Sequence, residues 1–357
     1  MDIQVTPAPR EALRRKPRSG EKLGFGNHFS DHMFLMEFTQ GRGWHDPRIV
    51  PYGPLHLDPS AMVLHYGQEI FEGLKAYYAS DGSICLFRPE KNAERMNRSA
   101  ARMCLPEIPV ADHLQAIREL VRIDREWIPK EKGASLYIRP TMVATEAGLG
   151  VRPAAECLFF IITGPVGAYY ARGFDPVRIL VEETYVRAAP GGTGEAKTGG
   201  NYAASLLAAK KAKEKGFDQV LWLDAGRRRF VEEVGTMNIF FALGGKLVTP
   251  PLTGSILPGV TRDSVLTLAR EWKIPVEERP VGIEEVIGAA GDGSLTEAFG
   301  SGTAAVISPV GAFSFHGKEI AVNGGKTGDL SLRMYREITG IQYGEIADRH
   351  HWIHRVE

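Results

Sequence analysis

Along the first half of the chain, short apolar runs are separated by two stretches of helical spacing. HMFLMEF (32–38) and SICLF (83–87) read as strands. EKNAERMNRSAARMC (90–104) carries apolar residues at helical intervals with basic residues between them, and HLQAIRELVRIDREWI (113–128) is a second amphipathic helix. SLYIRPTMVAT (135–145) and ECLFFIITG (156–164) return to strand patterning. GPVGAYYARGFDP, Gly164 to Pro176, has no period and is rich in Gly and Pro, which marks a linker. Beyond it, VRILVEETYVRA predicts a strand, and NYAASLLAAKKAKEKG a helix ending at Gly216. DQVLWLD and FVEEVGTMNIFFAL, joined through AGRRR, read as a hairpin-like pair, and GVTRDSVLTLAREW as a further helix. Mixed elements in both halves predict two α/β or α+β domains. The expected bounds are an arm over 1–23, a small domain over 24–165, an interdomain loop over 166–177 and a larger domain over 178–357.

Composition narrows the class. At 357 residues, two domains are the natural expectation, and 43% hydrophobic residues with 9% aromatics describe a folded chain. Lys plus Arg balances Asp plus Glu at 43 each, so no net field draws nucleic acid or an anionic membrane, and any anion site must be local. No apolar run reaches the length of a membrane span. The first residues lack an apolar core, and Asp2, Glu11 and Glu21 argue against a transit peptide. They read as a mobile, Pro-interrupted arm on a cytoplasmic protein. Cys85, Cys104 and Cys157 are too few and scattered for a disulfide scaffold or zinc cluster and read as small buried residues. His350, His351 and His354 crowd the C-terminus, but no carboxylate or cysteine completes a metal site, and a surface tail is the expectation; no metal is assigned.

One stretch demands chemistry. GGTGEAKTGGNYAAS, Gly191 to Ser205, sets Lys197 among five glycines, a residue costly to order. GGTGEAKT approaches a phosphate-binding loop, and VLWLD ends in Asp224 as a nucleotide hydrolase would need. However, Ala196 stands where that loop needs glycine, no strand leads directly into it, and Asp224 opens a turn. FGSGTAAV (299–306) contains G-x-G-x-x-A, but strand follows it where a dinucleotide fold needs helix. The third reading is a lysine that forms a Schiff base, its amine kept neutral by a tight site.

A pyridoxal phosphate site needs a carboxylate for the ring nitrogen, a helix N-terminus and an arginine for the phosphate, and a cradle for the substrate carboxylate. Glu233 lies inside an apolar strand, where a solvent-facing position is equally open. Pro258-Gly259-Val260-Thr261 opens a helix, as any helix start would. Arg95 lies on a helix whose other basic residues suggest a solvated face. The pattern permits such a site without requiring it.

The segments HYGQEIFEGLKAY, RSAARMCLP, SLYIRP, GPVGAYY, AKTGGNYA, EVGTMNIFF, ILPGVTRDS, FGSGTAA and IQYGEI, in this order and spacing from about Gly24 onward, together resemble the branched-chain-amino-acid aminotransferases. These are two-domain pyridoxal-phosphate enzymes of fold type IV, similar in fold to D-amino-acid aminotransferase, with a small N-terminal and a larger C-terminal, cofactor-binding domain. The resemblance implies that Lys197 bonds the cofactor, that Arg95 and the amides of Val260 and Thr261 hold its phosphate, and that Thr236 is a further contact. It matches Glu233 to the ring nitrogen and Tyr202 to the phenolic oxygen. Thr303 and Ala304 resemble the backbone site for the substrate carboxylate. Phe29, Tyr66, Phe71, Tyr137, Val151 and Tyr169 resemble the side-chain pocket, with Lys75 and Arg139 near its rim. The implied reaction is reversible, ping-pong exchange of the amino group of L-leucine, L-isoleucine or L-valine with 2-oxoglutarate, in a homodimer whose partner helps close the pocket. The fold relatives D-amino-acid aminotransferase and aminodeoxychorismate lyase are disfavoured by the full EGLKAY and SLYIRP blocks. Where mammalian relatives carry a C-x-x-C pair, this chain has Ala305 and Ser308, so no thiol switch is expected there.

Overall fold

The strand Ser135–Ala144 shows how the chain divides core from site. Successive side chains of a strand point to opposite faces of its sheet. Leu136, Ile138 and Met142 enter a large buried cluster with Met96, Ala100, Ile117 and Leu120 from the helices Pro89–Arg102 and Val110–Ile123. Tyr137, Arg139, Thr141 and Val143 take the other face. Lys75 lies directly across from Tyr137, and Phe71 across from Thr141, so both share that second face.

The computed structural model describes residues 1–18, 20–167 and 174–356. It contains two compact units. The first comprises Met1–Tyr169, Ala196–Gly199 and Gly340–Glu357; the second comprises Tyr170–Glu195 and Gly200–Thr339. The lysine loop at 196–199 and the C-terminal residues thus belong with the first unit, although the expected bounds put them in 178–357. With them the first unit is the longer of the two.

The first unit is built on a nine-stranded sheet. Its order is Gln4–Val5, Gly43–Pro51, His32–Thr39, Glu156–Val166, Ser135–Ala144, Leu74–Tyr78, Ile84–Phe87 and Ile353–Val356, with Glu69–Phe71 also on Ser135–Ala144. Among the described residues of this sheet, only the pairing of Gln4–Val5 is parallel. Both chain ends are therefore sheet-bound. The N-terminus, expected to be a mobile arm, pairs Val5 with Ile49, and its ammonium reaches Asp112 at 3.3 Å and Gln115 at 3.0 Å. The C-terminus, expected to be a surface tail, pairs His354 with Leu86 and sets its imidazole 3.0 Å from Glu90. Cys85 and Cys157 are buried as expected, and burial pushes the Cys157 thiol up to about 12, but Cys104 is exposed.

The second unit is a nine-stranded mixed sheet in the order Val231–Val234, Gln219–Leu223, Val177–Val181, Val306–Phe315, Leu295–Gly302, Met237–Leu243, Lys246–Thr249 and Val276–Glu278, with Lys318–Ala321 also on Val306–Phe315. Because Val231–Val234 also pairs with Met237–Leu243, the sheet closes on itself as a ring. The segment FVEEVGTMNIFFAL is thus two strands around a Gly235–Thr236 turn. The strand predicted over 177–188 ends at Val181, where the Glu182 carboxylate takes the amides of Thr184 and Tyr185 and bends the chain away. The helix predicted from Asn201 starts two residues earlier, as Gly199–Glu214, and Gly216 ends it at φ +81° as expected. In place of one long helix over 113–128, helix Val110–Ile123 is followed by a 3-10 turn at Arg125–Trp127.

One core position carries an electrostatic cost. His113, 1% exposed and edge-on to Phe159, has no hydrogen-bond partner for either ring nitrogen among the described residues. Burial drags its pKa down to about 4, against a smaller opposing pull from Glu72. The folded state therefore holds it neutral where the unfolded chain, with an ordinary value near about 6.5, takes up a proton. Its penalty is absent above that value and grows as pH falls toward 4. His113→Leu is expected to remove a loss of roughly 3 kcal/mol between neutral pH and pH 4. Chemical denaturation at both pH values would show it; equal pH slopes for the two proteins would contradict it.

Candidate functional site

In the first unit, the glycine-flanked loop is held rigidly. The Lys197 amide donates to Ser99 Oγ at 2.9 Å, and its carbonyl accepts from the Phe71 amide at 2.9 Å. Ala196 and Thr198 are each 2% exposed. The loop is thereby pinned to helix Pro89–Arg102 and strand Glu69–Phe71, and Lys197 Nζ lies 4.6 Å over the Phe71 ring. The Gly199 amide, at the start of helix Gly199–Glu214, donates to the half-buried Glu69 carboxylate. A phosphate loop needs those first helical amides for its anion; here a carboxylate takes that place. Asp224 serves its own turn, accepting from the amides of Arg227, Arg229 and Phe230.

Arg95 is not on a solvated face. It is 4% exposed and forms a forked pair with Glu72, Nε to Oε1 at 2.7 Å and an Nη to Oε2 at 2.9 Å. Glu72 has no exposure at all and also accepts from Asn92 at 2.8 Å and the Gly73 amide at 3.1 Å. Burial alone would raise this carboxyl, but the charge and hydrogen bonds of Arg95, with the Lys197 charge and Asn92, hold it below its ordinary value. Glu72 sits inside the EGLKAY block, yet nothing in the residue pattern marks its role.

The site face of the sheet bears a pocket of about 240 Å³ lined by Phe25, Phe29, Tyr137, Arg139, Ile162 and Gly164, among others. Arg139 donates to Tyr137 Oη at 3.0 Å and lies 4.6 Å over the Phe71 ring. Its Nε is buried with no hydrogen-bond partner among the described residues, a donor suited to a carboxylate. Lys75, expected near the rim, is instead buried in strand Leu74–Tyr78, and burial pulls its amine down to about 8. Tyr66 and Val151 do not line this pocket. Tyr66 is 41% exposed and bonds the Leu149 carbonyl, and Val151 is 85% exposed. Tyr169 lies outside the described residues.

In the second unit, Glu233 is 3% exposed. Arg187 Nε donates to Oε2 at 2.5 Å, while the Leu257 amide at 2.9 Å and Asn238 Nδ2 at 3.3 Å reach Oε1. Asn238, directly across the ladder from Glu233, also donates to the Leu257 carbonyl at 2.9 Å. It therefore ties the carboxylate to the loop entering helix Val260–Glu271. Gly259 caps that helix, and a Cβ there would lie 2.0 Å from Asn238 Oδ1, so a side chain at this position would displace Asn238. With no side chain at the cap, nothing from that position covers the Val260 and Thr261 amides, which suits a phosphate. Thr236 is exposed in the turn preceding Asn238. Tyr202 is half-buried in the first turns of helix Gly199–Glu214. Thr303 and Ala304 form the half-buried connection into strand Val306–Phe315, which Val306 enters at φ +62°, a costly conformation for a β-branched residue. Arg187 and Asn238 were not legible as site residues: the partner of Arg187 lies 46 residues away, and nothing in the pattern marks Asn238, five residues from Glu233, as its cross-strand partner.

With this geometry in view, residues 69–313 match the amino-transferase class IV family. Branched-chain-amino-acid aminotransferase 2 of Bacillus subtilis (strain 168) is 52% identical over 343 residues, covering 96% of this chain and 94% of that protein. The crystal structure of Escherichia coli branched-chain amino acid aminotransferase superposes with a TM-score of 0.78 at 29% identity, covering 92% of this chain and 99% of that one. The branched-chain amino acid aminotransferase of Thermobaculum terrenum, described in its PLP holo form, gives 0.73 at 26% identity over 91% and 98%. The chain belongs to the class IV aminotransferases, a fold type IV family whose members use pyridoxal phosphate.

The buried Glu72 and Arg95 make a direct test. Glu72→Ala leaves a guanidinium buried without its counter-charge and is expected to cost roughly 3–5 kcal/mol of stability. Glu345→Ala, which removes only the exposed Lys132 pair, is expected to stay within about 0.5 kcal/mol. Urea unfolding of both variants decides; similar small losses would mean the buried pair holds nothing.

Proposed function

We propose that the protein is a branched-chain-amino-acid aminotransferase, exchanging the amino group of L-leucine, L-isoleucine or L-valine with 2-oxoglutarate through pyridoxal phosphate on Lys197. The observation that carries this is the pinned Lys197, its backbone bonded on both sides and its amine over Phe71. When bound, the cofactor supplies an electron sink for the pair left when the substrate loses its α-proton.

The chain's own residues do the rest. Lys197 Nζ, once displaced by the substrate amine, moves the proton at the substrate α-carbon as base and then acid. Glu233, oriented by its pair with Arg187, would face the cofactor's ring nitrogen and favour a proton there. Arg95, braced by Glu72, would bind the phosphate, as would the Val260 and Thr261 amides, and Thr236 would be a further cofactor contact. Tyr202 donates to the phenolic oxygen. The Thr303–Ala304 backbone receives the α-carboxylate. Phe29 and Tyr137, with Phe71 under Arg139, offer an apolar wall for a branched side chain, while Tyr137 and the buried Arg139 Nε receive the second carboxylate of glutamate.

The exposure of Val151 and Tyr66, beside exposed Leu64 and Leu149, supports an apolar patch that serves a second copy in a homodimer. No helix among the described residues is long and apolar enough to cross a membrane; we place the enzyme in the cytoplasm with small-molecule partners only.

The test is the absorbance of the purified protein before and after L-leucine, with no 2-oxo acid present. The expected outcome is a bound chromophore whose band shifts as one equivalent of 4-methyl-2-oxopentanoate appears. A protein that takes up no chromophore when given pyridoxal phosphate, or one that answers D-alanine alone, would overturn the assignment. In the same assay Arg139→Ala is expected to lose about 10- to 100-fold with L-glutamate and far less with L-leucine; equal losses would remove its role. Sedimentation velocity should show a dimer that Val151→Glu converts to monomer; a wild-type monomer would discard the homodimer.

A further inference from the structure

The pocket wall has a support that the known chemistry does not use. Phe29 lines the pocket, and its ring stacks on Tyr52 with centroids 5.3 Å apart and planes 21° from parallel. Tyr52 lies past the end of strand Gly43–Pro51, and its amide donates to the Asp31 carbonyl at 2.8 Å. The Arg14 guanidinium sits 4.0 Å over the Tyr52 ring centroid. The Arg14 amide also donates to Asp31 Oδ1 at 2.7 Å, while Trp127 Nε1 donates to Asp31 Oδ2 at 2.7 Å.

The segment carrying Phe29 is gripped on its other side as well. The Ser30 amide donates to the Thr163 carbonyl at 2.9 Å, and the two hydroxyls meet at 2.6 Å. The backbone at His28 runs so close to Gly164 that a Cβ there would be 2.0 Å from the His28 carbonyl oxygen. The N-terminal segment reaches this place already anchored. It is held by the Met1 ammonium, by the pairing of Val5 with Ile49, and by the Ala8 amide on His32 Nε2 at 2.9 Å. An exposed chain end is thus tied down at several points, and its last tie is a cation placed on the ring behind the pocket wall.

We infer that Arg14 and Tyr52 are positioning residues that set the Phe29 wall and thereby the enzyme's discrimination between large and small apolar side chains. This rests on the aminotransferase reading given above. Neither residue touches the reacting atoms. The cation over the Tyr52 face restricts that ring, and the stacked Phe29 ring inherits the restriction. A branched side chain packing on Phe29 gains from a fixed wall, because a mobile one must be ordered at the moment of binding. A two-carbon side chain, too short to fill the pocket, gains little.

The test compares KM and kcat for L-leucine and for L-2-aminobutyrate in Arg14→Ala, Tyr52→Ala and the conservative Tyr52→Phe. Arg14 is exposed, so its variant removes the cation without opening the core. The expected result is a rise of about three- to ten-fold in KM for L-leucine in both alanine variants. The KM for L-2-aminobutyrate, kcat, the thermal midpoint and the cofactor absorbance band should stay near wild type, and Tyr52→Phe should restore the L-leucine KM. An unchanged KM ratio in both alanine variants would overturn the inference. So would equal losses for the two substrates together with a lowered thermal midpoint, since that is the mark of a purely structural role. Wild-type turnover of L-leucine separates this failure from failure of the assigned function. A wild type that does not transaminate leucine removes the function, whereas an active wild type with insensitive variants removes only the positioning role.

Discussion

A single carboxylate without access to water, Glu72, organises the lysine-bearing unit. It accepts both edges of the Arg95 fork, the Asn92 amide and a backbone N–H, and the positive field of Lys197 adds to its ionisation. Burying a charge is costly unless it is paired and hydrogen-bonded, and here every requirement is met. The pairing fixes Arg95 in one orientation, and a fixed guanidinium reads a planar or tetrahedral anion with less loss of freedom than a mobile one. The same helix supplies Ser99, which holds the Lys197 amide. Arginine, lysine and carboxylate are therefore set by one helix and one strand.

The second unit repeats the principle with different parts. Glu233 faces Arg187 and is bound on its other oxygen by Leu257 and Asn238. Asn238 fixes both the carboxylate and the approach to helix Val260–Glu271, so moving either would disturb the other. Its neighbour Glu232 is sent to the opposite face by strand alternation and meets Ser255; burial there raises its carboxyl. Two adjacent glutamates thus meet different partners, Glu233 an arginine and Glu232 a hydroxyl.

The sequence made some of this legible and hid the rest for physical reasons. The alternation in SLYIRP separates core from site residue by residue, and the glycines around Lys197 announce a loop that must pack closely. Arg95 looked like a surface residue because it shares one helix stripe with Lys91, Arg98 and Arg102, and its burial depends on Glu72, which is 23 residues away. Lys75 was misplaced toward the rim because a lysine in an alternating strand does not reveal how much protein covers it. The strands Gln4–Val5 and Ile353–Val356 are two and four residues long, too short for a periodic signal, and exist because the sheet edges they join are already built. Arg187 could not be singled out because its partner is 46 residues away, and Asn238 because its pairing with Glu233 depends on the hairpin register.

The account turns on Lys197 being the residue that carries the cofactor. The most direct measurement is borohydride reduction of the holoenzyme followed by peptide mapping for a phosphopyridoxyl group. The account predicts the label on the peptide containing Lys197. Among the described residues, buried Lys75, whose amine burial pulls down to about 8, is a rival. A label on Lys75, with Lys197 unmodified, would contradict the account.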